Sequence, residues 1–208
     1  MSVKRLLKIT SSSLVNPDEY ASKGFEDSLL HVSLIQMLLE RNGFLALKSS
    51  VYICPLSGNR LDDEYNIKLW NAPNLWKDNY SGAANNILCF DTDLFGNQYC
   101  VTDNKIYLFD AETAELEYMA DTLGEWAAMI IKDDYWSGHS RAQEWQASHG
   151  SVQSNNRLLP KTPFILGGEF KLDNLYSCEH VQSIKYRGDM YVQMRDLIDG
   201  TQIQFEII

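Results

Sequence analysis

The sequence has few of the residues and runs that mark exported, membrane or nucleic-acid-binding proteins. Its 208 residues include four cysteines and five prolines. No apolar run reaches the 18 residues of a membrane span, and the apolar start ends at Ile9, too early for a signal peptide. The 18 Lys and Arg are outnumbered by 28 Asp and Glu, which disfavours binding to phosphate backbones. We therefore expect a cytoplasmic protein without membrane or nucleic-acid partners.

Catalytic and metal-binding motifs are also missing. The sequence contains no CxxC pair, no zinc spacing among its four histidines, no P-loop, no G-x-G-x-x-G and no G-x-S-x-G elbow. Without a disulfide framework, the cysteines are expected to be small buried hydrophobes in a reducing compartment. From its motifs the sequence predicts no cofactor and no bound metal.

The composition is that of a globular domain, with 45% hydrophobic and 22% charged residues. A first helix is indicated by Leu30, Leu34, Met37 and Leu38, which share one helical face, and Asn42-Gly43 marks its end. Runs of strand-forming residues follow, separated by turn residues that include the hairpin pair Asp103-Asn104. The strand runs are 44–47, 51–54, 87–91, 98–102, 106–110 and 115–119.

The second half begins with a clear amphipathic helix. Its apolar face has Trp126 at its centre, and Thr122 and Glu125 form a capping box at its start. Further helices are predicted over 140–148, where Trp145 faces inward, and over 179–186, closed by Gly188. A final hairpin is predicted over 191–198 and 201–207, and residues 1–25 are expected to be an irregular lead-in to a single domain over 26–208. Strands followed by helices predict an α+β fold, with one mainly antiparallel sheet and helices packed on one side.

Seven candidate partner-binding residues are acids or tryptophans of the loop-rich first half: Asp62, Asp63, Glu64, Trp70, Trp76, Asp91 and Asp93. The acidic triplet 62–64 fits a solvated helix start or an acidic contact surface. The two tryptophans fit interface anchors or core packing from loops. The aspartate pair, which follows a strand, fits a solvated turn or a metal-binding pair.

The order of elements resembles the SMI1/KNR4 (SUKH) superfamily over about residues 26–208. The resemblance rests on the helix ending in Asn42-Gly43-Phe44, the meander from Ile87 to Asp110, and the helix that begins Leu123-Gly-Glu-Trp-Ala. Longer bacterial members are similar in the later stretch Pro163-Phe-Ile-Leu-Gly-Gly-Glu169. The resemblance implies an α+β fold without enzymatic activity.

Bacterial members of that family act as immunity proteins, so the resemblance implies a protein that neutralises a polymorphic toxin, such as a nuclease, by occlusion. The acidic charge fits a basic partner, because charge complementarity raises association rates. A regulatory interaction module with a housekeeping partner is the first alternative. The second is a metal-dependent hydrolase that uses Asp91, Asp93 and a histidine.

Overall fold

The computed structural model describes residues 2–15, 28–56, 65–198 and 200–201. The acidic triplet and residues 202–207 of the predicted final hairpin lie outside these ranges. The helices are α1 (Ser2–Leu7), α2 (Leu29–Glu40), α3 (Ile67–Trp70), α4 (Leu123–Lys132), α5 (Asp134–Ser137), α6 (His139–His149) and α7 (His180–Met194). The strands are β1 (Phe44–Ala46), β2 (Val51–Ile53), β3 (Leu88–Thr92), β4 (Gln98–Thr102), β5 (Lys105–Phe109), β6 (Leu116–Ala120), β7 (Asn156–Pro160) and β8 (Leu175–Glu179).

The described strands form two antiparallel sheets. Strands β1 to β6 pair in chain order in a six-stranded meander, and β7 pairs with β8 in a separate hairpin. The predicted α+β fold is confirmed. Two local predictions are also confirmed. Asp103 and Asn104 both adopt positive φ in the β4–β5 turn, and Thr122 and Glu125 form both hydrogen bonds of the capping box.

Helices cover both faces of the large sheet rather than the one face that the sequence suggested. Gln98 and Tyr99 are successive residues of β4, so their side chains point to opposite faces. Gln98 Oε1 accepts a hydrogen bond of 2.9 Å from Trp70 Nε1 of α3. Tyr99 packs on Trp126 of α4, with ring centroids 5.9 Å apart. The physical reason lies in β3 and β4, which are buried at nearly every position, the pattern of strands covered on both sides.

Aromatic side chains fill the core on the α3 side of the sheet. Trp76 packs tilted against Trp70 and edge-on against Tyr80, and both Trp76 and Tyr80 contact Phe109 of β5. These four rings are almost fully buried. A second, smaller apolar cluster lies between α6 and the β7–β8 hairpin, and it contains Trp145. The predictions that Trp126 lies on a buried helical face and that Trp145 faces inward are confirmed.

Three parts of the chain differ from the sequence prediction. The lead-in contains α1, whose Leu6 and Leu7 are buried in the main core, because two adjacent leucines provide an apolar face too short to show periodicity. Helix α7 runs through Gly188 instead of ending there. The segment from Tyr191, predicted as a strand, continues that helix to Met194. No helix among the described residues is long and apolar enough to cross a membrane.

Candidate functional site

The structure places the tryptophans and the aspartate pair inside the protein. Trp70 is 1% exposed, Trp76 and Asp91 are 0% exposed, and Asp93 is 5% exposed. A partner cannot touch these four side chains, so the structure corrects their assignment as contact residues. Large aromatic residues are common in cores as well as interfaces, and the sequence alone does not separate the two environments.

Trp70 instead organises a buried polar cluster. Besides donating to Gln98, its indole packs against the imidazole of His180, with ring centroids 4.2 Å apart and planes tilted at 31°. The His180 Nε2 lies 3.3 Å from Thr92 Oγ1. Burial, followed by the nearby Arg157 and Arg187, lowers the pKa of His180 well below its ordinary value. The ring is therefore neutral at neutral pH and serves as a core element of the polar cluster.

The two aspartates hold backbone groups at the β3–β4 connection. Asp91 Oδ1 accepts from the Thr92 N–H at 2.6 Å. Asp93 Oδ1 accepts from the N–H groups of Phe95 and Asn97, and its Oδ2 accepts from the Asn97 side chain. Burial raises the pKa of Asp93 to about 6 and that of Asp91 well above its usual range. Their visible role is to fix a turn, as Asp residues do through local backbone hydrogen bonds.

Two buried arginines balance this interior charge. The Arg157 guanidinium lies over the Tyr52 ring at 4.8 Å and lowers the pKa of Asp91 against the effect of burial. Arg187 donates to the Phe95 carbonyl. Its charge lowers the pKa of Asp93, again against the effect of burial. This attraction offsets only part of the cost of burying the carboxyl groups, because burial still raises both of their pKa values. Among the described residues, no group of three or more His, Cys, Asp or Glu side chains is arranged to hold a metal ion.

An exposed acidic surface lies elsewhere, around strand β6. Between residues 110 and 134 the chain has eight carboxylates and one lysine. We call the exposed acids and tyrosines of residues 115–135 the acidic edge: Glu115, Glu117, Tyr118, Asp121, Glu125, Asp133, Asp134 and Tyr135. Sequence reasoning missed this surface because it treats residues 115–119 only as a strand of the meander, although the local density of acids is a visible signal.

Tyrosines stand among the carboxylates of the acidic edge. Tyr118 is 50% exposed and Tyr135 is 74% exposed. Desolvation and a hydrogen bond with Asp121 raise the pKa of Tyr118, while desolvation and the charge and hydrogen bond of Glu117 raise that of Tyr135. Lys105 is the one cation with an ion pair to this surface among the described residues, at 3.7 Å from Asp121. The acidic edge therefore presents phenol rings within a strongly negative field.

The position of β6 explains why its side chains are exposed. Within the described part of the chain it is the last strand of the sheet, hydrogen-bonded to β5. Leu116, Glu117 and Tyr118 are all exposed, whereas Met119 and Ala120 are buried. The strand thus combines a rigid anchor in the sheet with a projecting segment. Terminal strands with charged side chains are protected from unspecific pairing and remain available for a specific partner.

Comparisons with known proteins show the fold and leave the family open. No protein-family model matches the chain, and no curated protein matches it. Among solved structures, the crystal structure of Atu4351 from Agrobacterium tumefaciens is similar. The two chains superpose with a TM-score of 0.66 at 10% sequence identity, over 91% of this chain and 89% of the other.

Proposed function

We propose that this chain is a non-catalytic, cytoplasmic immunity-type protein that binds a basic toxin domain and occludes its working surface. The observation that carries the proposal is the acidic edge, an exposed set of carboxylates and tyrosines on a strand anchored in the sheet. A nuclease toxin has to present basic residues to phosphate. An acidic protein can therefore cover the same surface that the nucleic acid would occupy.

The charge of the chain supports both affinity and speed of binding. Its net charge is -10 at pH 7, and a large part of the acidic excess lies in the stretch 110–134. Clustered charge steers an oppositely charged partner and raises the association rate. Exposed tyrosines supply rigid contact area, as they do at the centres of many protein interfaces.

The hydrolase alternative receives less support from the geometry. Asp91 and Asp93, its expected metal ligands, are buried and bonded to backbone N–H groups, so a substrate has no direct access to them in this structure. A regulatory module with a housekeeping partner would use the same acidic edge and differs only in the partner. Membership of the SMI1/KNR4 superfamily is part of the proposal, supported by the helix, Asn-Gly turn, antiparallel meander and capped helix in that order.

The test is capture of the partner from the native organism with two variants of equal charge. The edge variant carries Glu115→Lys and Glu117→Lys. The control carries Glu40→Lys and Asp196→Lys, which change exposed acids outside the acidic edge. We expect the wild type and the control, but not the edge variant, to retain a basic toxin domain whose nuclease activity falls when the chain is added back. Equal retention by the edge variant, or full toxin activity in the complex, would contradict the proposal.

A further inference from the structure

A small aromatic pocket opens beside the acidic edge. Its volume is about 160 Å³, and its lining includes Phe95, Phe164 and Phe170 together with Asp110, Glu112 and Arg187. An engineered apolar cavity of roughly this size, about 150 Å³, accepts benzene. The pocket is therefore large enough for the end of one long side chain. Asp110 connects it to the acidic edge, since the Asp110 N–H donates to the Glu115 carbonyl at 2.9 Å.

The walls of the pocket are phenyl rings. Phe164 and Phe170 are stacked, with centroids 3.8 Å apart and planes at 9°. Phe95 meets both edge-on, at 5.7 and 5.8 Å. Phe170 is 57% exposed and the neighbouring Ile165 is 48% exposed. Large apolar side chains at the mouth of a polar-based pocket are typical of a binding site.

Two charged side chains in the lining of the pocket have buried polar atoms without hydrogen-bond partners among the described residues. Glu112 is 5% exposed; its Oε2 accepts from the Ile165 N–H at 2.9 Å, whereas its buried Oε1 has no hydrogen-bond partner among the described residues. The buried Nε of Arg187 also lacks one. Buried polar atoms without partners are rare and costly in folded proteins. A ligand that donates to Glu112 Oε1 would relieve the cost at that oxygen.

The chemistry of the lining favours a cation over an anion. The lining contains two carboxylates, those of Asp110 and Glu112, and one guanidinium, that of Arg187. The Arg187 guanidinium already donates to the Phe95 carbonyl. The faces of phenyl rings are negative and attract cations. A planar guanidinium suits the site best, because it stacks on aromatic rings and donates to carboxylates from a fixed fork.

We propose that this pocket receives one arginine side chain of the protein partner. The inference rests on the proposed function for the existence of a basic partner, and it names the group by which that partner is recognised. The guanidinium would lie against the phenyl rings and donate to Glu112, while the methylene stem passes Phe170 and Ile165 at the mouth. The pocket would thus supply a specific anchor next to the acidic edge, which supplies the long-range attraction.

The direct test uses N-acetyl-L-arginine amide as the probe and N-acetyl-L-citrulline amide as its neutral isostere. Backbone amide signals of the ¹⁵N-labelled full chain are followed by NMR during titration. We expect saturable shifts at Thr113 and Ile165 with the arginine probe and none with the citrulline probe. Absence of saturable shifts, or equal shifts with both probes, would overturn the proposal.

Two variants and a control extend the test to the partner. Glu112→Gln retains an acceptor for the Ile165 N–H but removes the charge, and Phe170→Ala removes an exposed wall. Each should weaken probe and partner binding at least about tenfold. Glu169→Gln, an exposed acid beside Phe170, should change neither. Unchanged partner affinity in Glu112→Gln would overturn the pocket proposal and leave the proposed function standing. If the proposed function is wrong, the capture experiment retains no toxin domain, even though the arginine probe still binds the pocket.

Discussion

Helix α7 lies directly on the ring of Tyr80 because residue 188 has no side chain. A Cβ built on Gly188 would stand 2.9 Å from both Cδ2 and Cε2 of Tyr80, closer than carbon atoms pack. Tyr80 is 0% exposed, and its hydroxyl donates to the Ala111 carbonyl at 2.8 Å. The close approach therefore joins α7 to the turn that precedes β6.

We expect Gly188→Ala to destabilise the protein even though alanine is the better helix former. Overpacking of a filled core costs about 1–3 kcal/mol, which exceeds the helix-propensity gain of about 1 kcal/mol. Gly124→Ala is the matched control, since a Cβ there meets only Thr122 Oγ1, at 3.8 Å, and should be neutral or slightly stabilising. Urea unfolding measures both. Equal stability of the two variants would show that α7 can shift away from Tyr80.

This close contact also shows where sequence reasoning ends. A glycine after a helical pattern usually marks a helix end, and the sequence predicts such an end at Gly188. Only the position of Tyr80, more than a hundred residues earlier, reveals that the glycine is needed inside the helix. By contrast, the capping box at Thr122 and the turn at Asp103-Asn104 depend on neighbouring residues, and the sequence predicts both correctly.

In the candidate site, too, the sequence predicts local features but not contacts between distant segments. The density of carboxylates around β6 could be read from the sequence, but their exposure depends on β6 being the last described strand of the sheet. The burial of Trp70 depends on α7, which brings His180 onto its ring. The aromatic pocket joins four segments of the chain, around Phe95, Glu112, Phe164 and Arg187. No local pattern predicts such a meeting.

The burial of Trp70 gives a stability prediction. Trp70→Ala should cost about 3–5 kcal/mol, as large-to-small changes of core aromatics do, and it also leaves Gln98 without its indole donor. Tyr135→Ala, at an exposed ring of the acidic edge, should change stability by less than about 0.5 kcal/mol. Chemical denaturation measures the free energy of unfolding of both variants. If Trp70→Ala does not fold, Trp70→Phe takes its place in the comparison. A small effect at Trp70 with a large one at Tyr135 would contradict the described packing.

The raised pKa of Asp93 predicts a pH dependence. Its carboxyl titrates near 3.8 in the unfolded chain and at about 6 in the folded one. The folded state therefore binds more protons between these values, and the stability contributed by Asp93 falls as pH rises from about 4 to about 6. Asn at this position does not titrate. The stability of the wild type relative to Asp93→Asn should thus be greater at pH 4.5 than at pH 7.5 by on the order of 2 kcal/mol.

The difference between the wild type and Asp93→Asn removes the opposing pH dependence that His180 contributes to stability. The lowered pKa of His180 makes stability fall as pH drops below about 6.5, but this contribution is present in both proteins and cancels in their difference. Asp103→Asn makes the same change at an exposed turn position with positive φ and is the matched control. A difference for Asp93→Asn that does not depend on pH would contradict the raised pKa of Asp93.

The acidic triplet Asp62, Asp63 and Glu64 lies outside the described residues and is tested by charge reversal. If it contributes to the contact surface, changing all three to Lys should slow association with the basic partner while leaving the unfolding midpoint intact, because charges on a contact surface are solvated in the free protein and contribute little to its stability. Stopped-flow association at low salt measures the rate. Unchanged kinetics would remove the triplet from the contact surface and leave the acidic edge as the steering element.

For the acidic edge itself, we expect Glu115→Lys with Glu117→Lys to slow association with the captured basic partner about tenfold or more at low ionic strength. The two reversals change the sign of charge on the projecting part of β6, where the field meets the partner first. The Glu40→Lys and Asp196→Lys control has the same net charge, so a smaller loss there separates local steering from total charge. Near 1 M salt, where the screening length is about 3 Å, the association rates of all three proteins should converge. Rates that stay different at high salt would mean that the lysines block the interface sterically, and equal losses in both variants would place the contact surface away from β6.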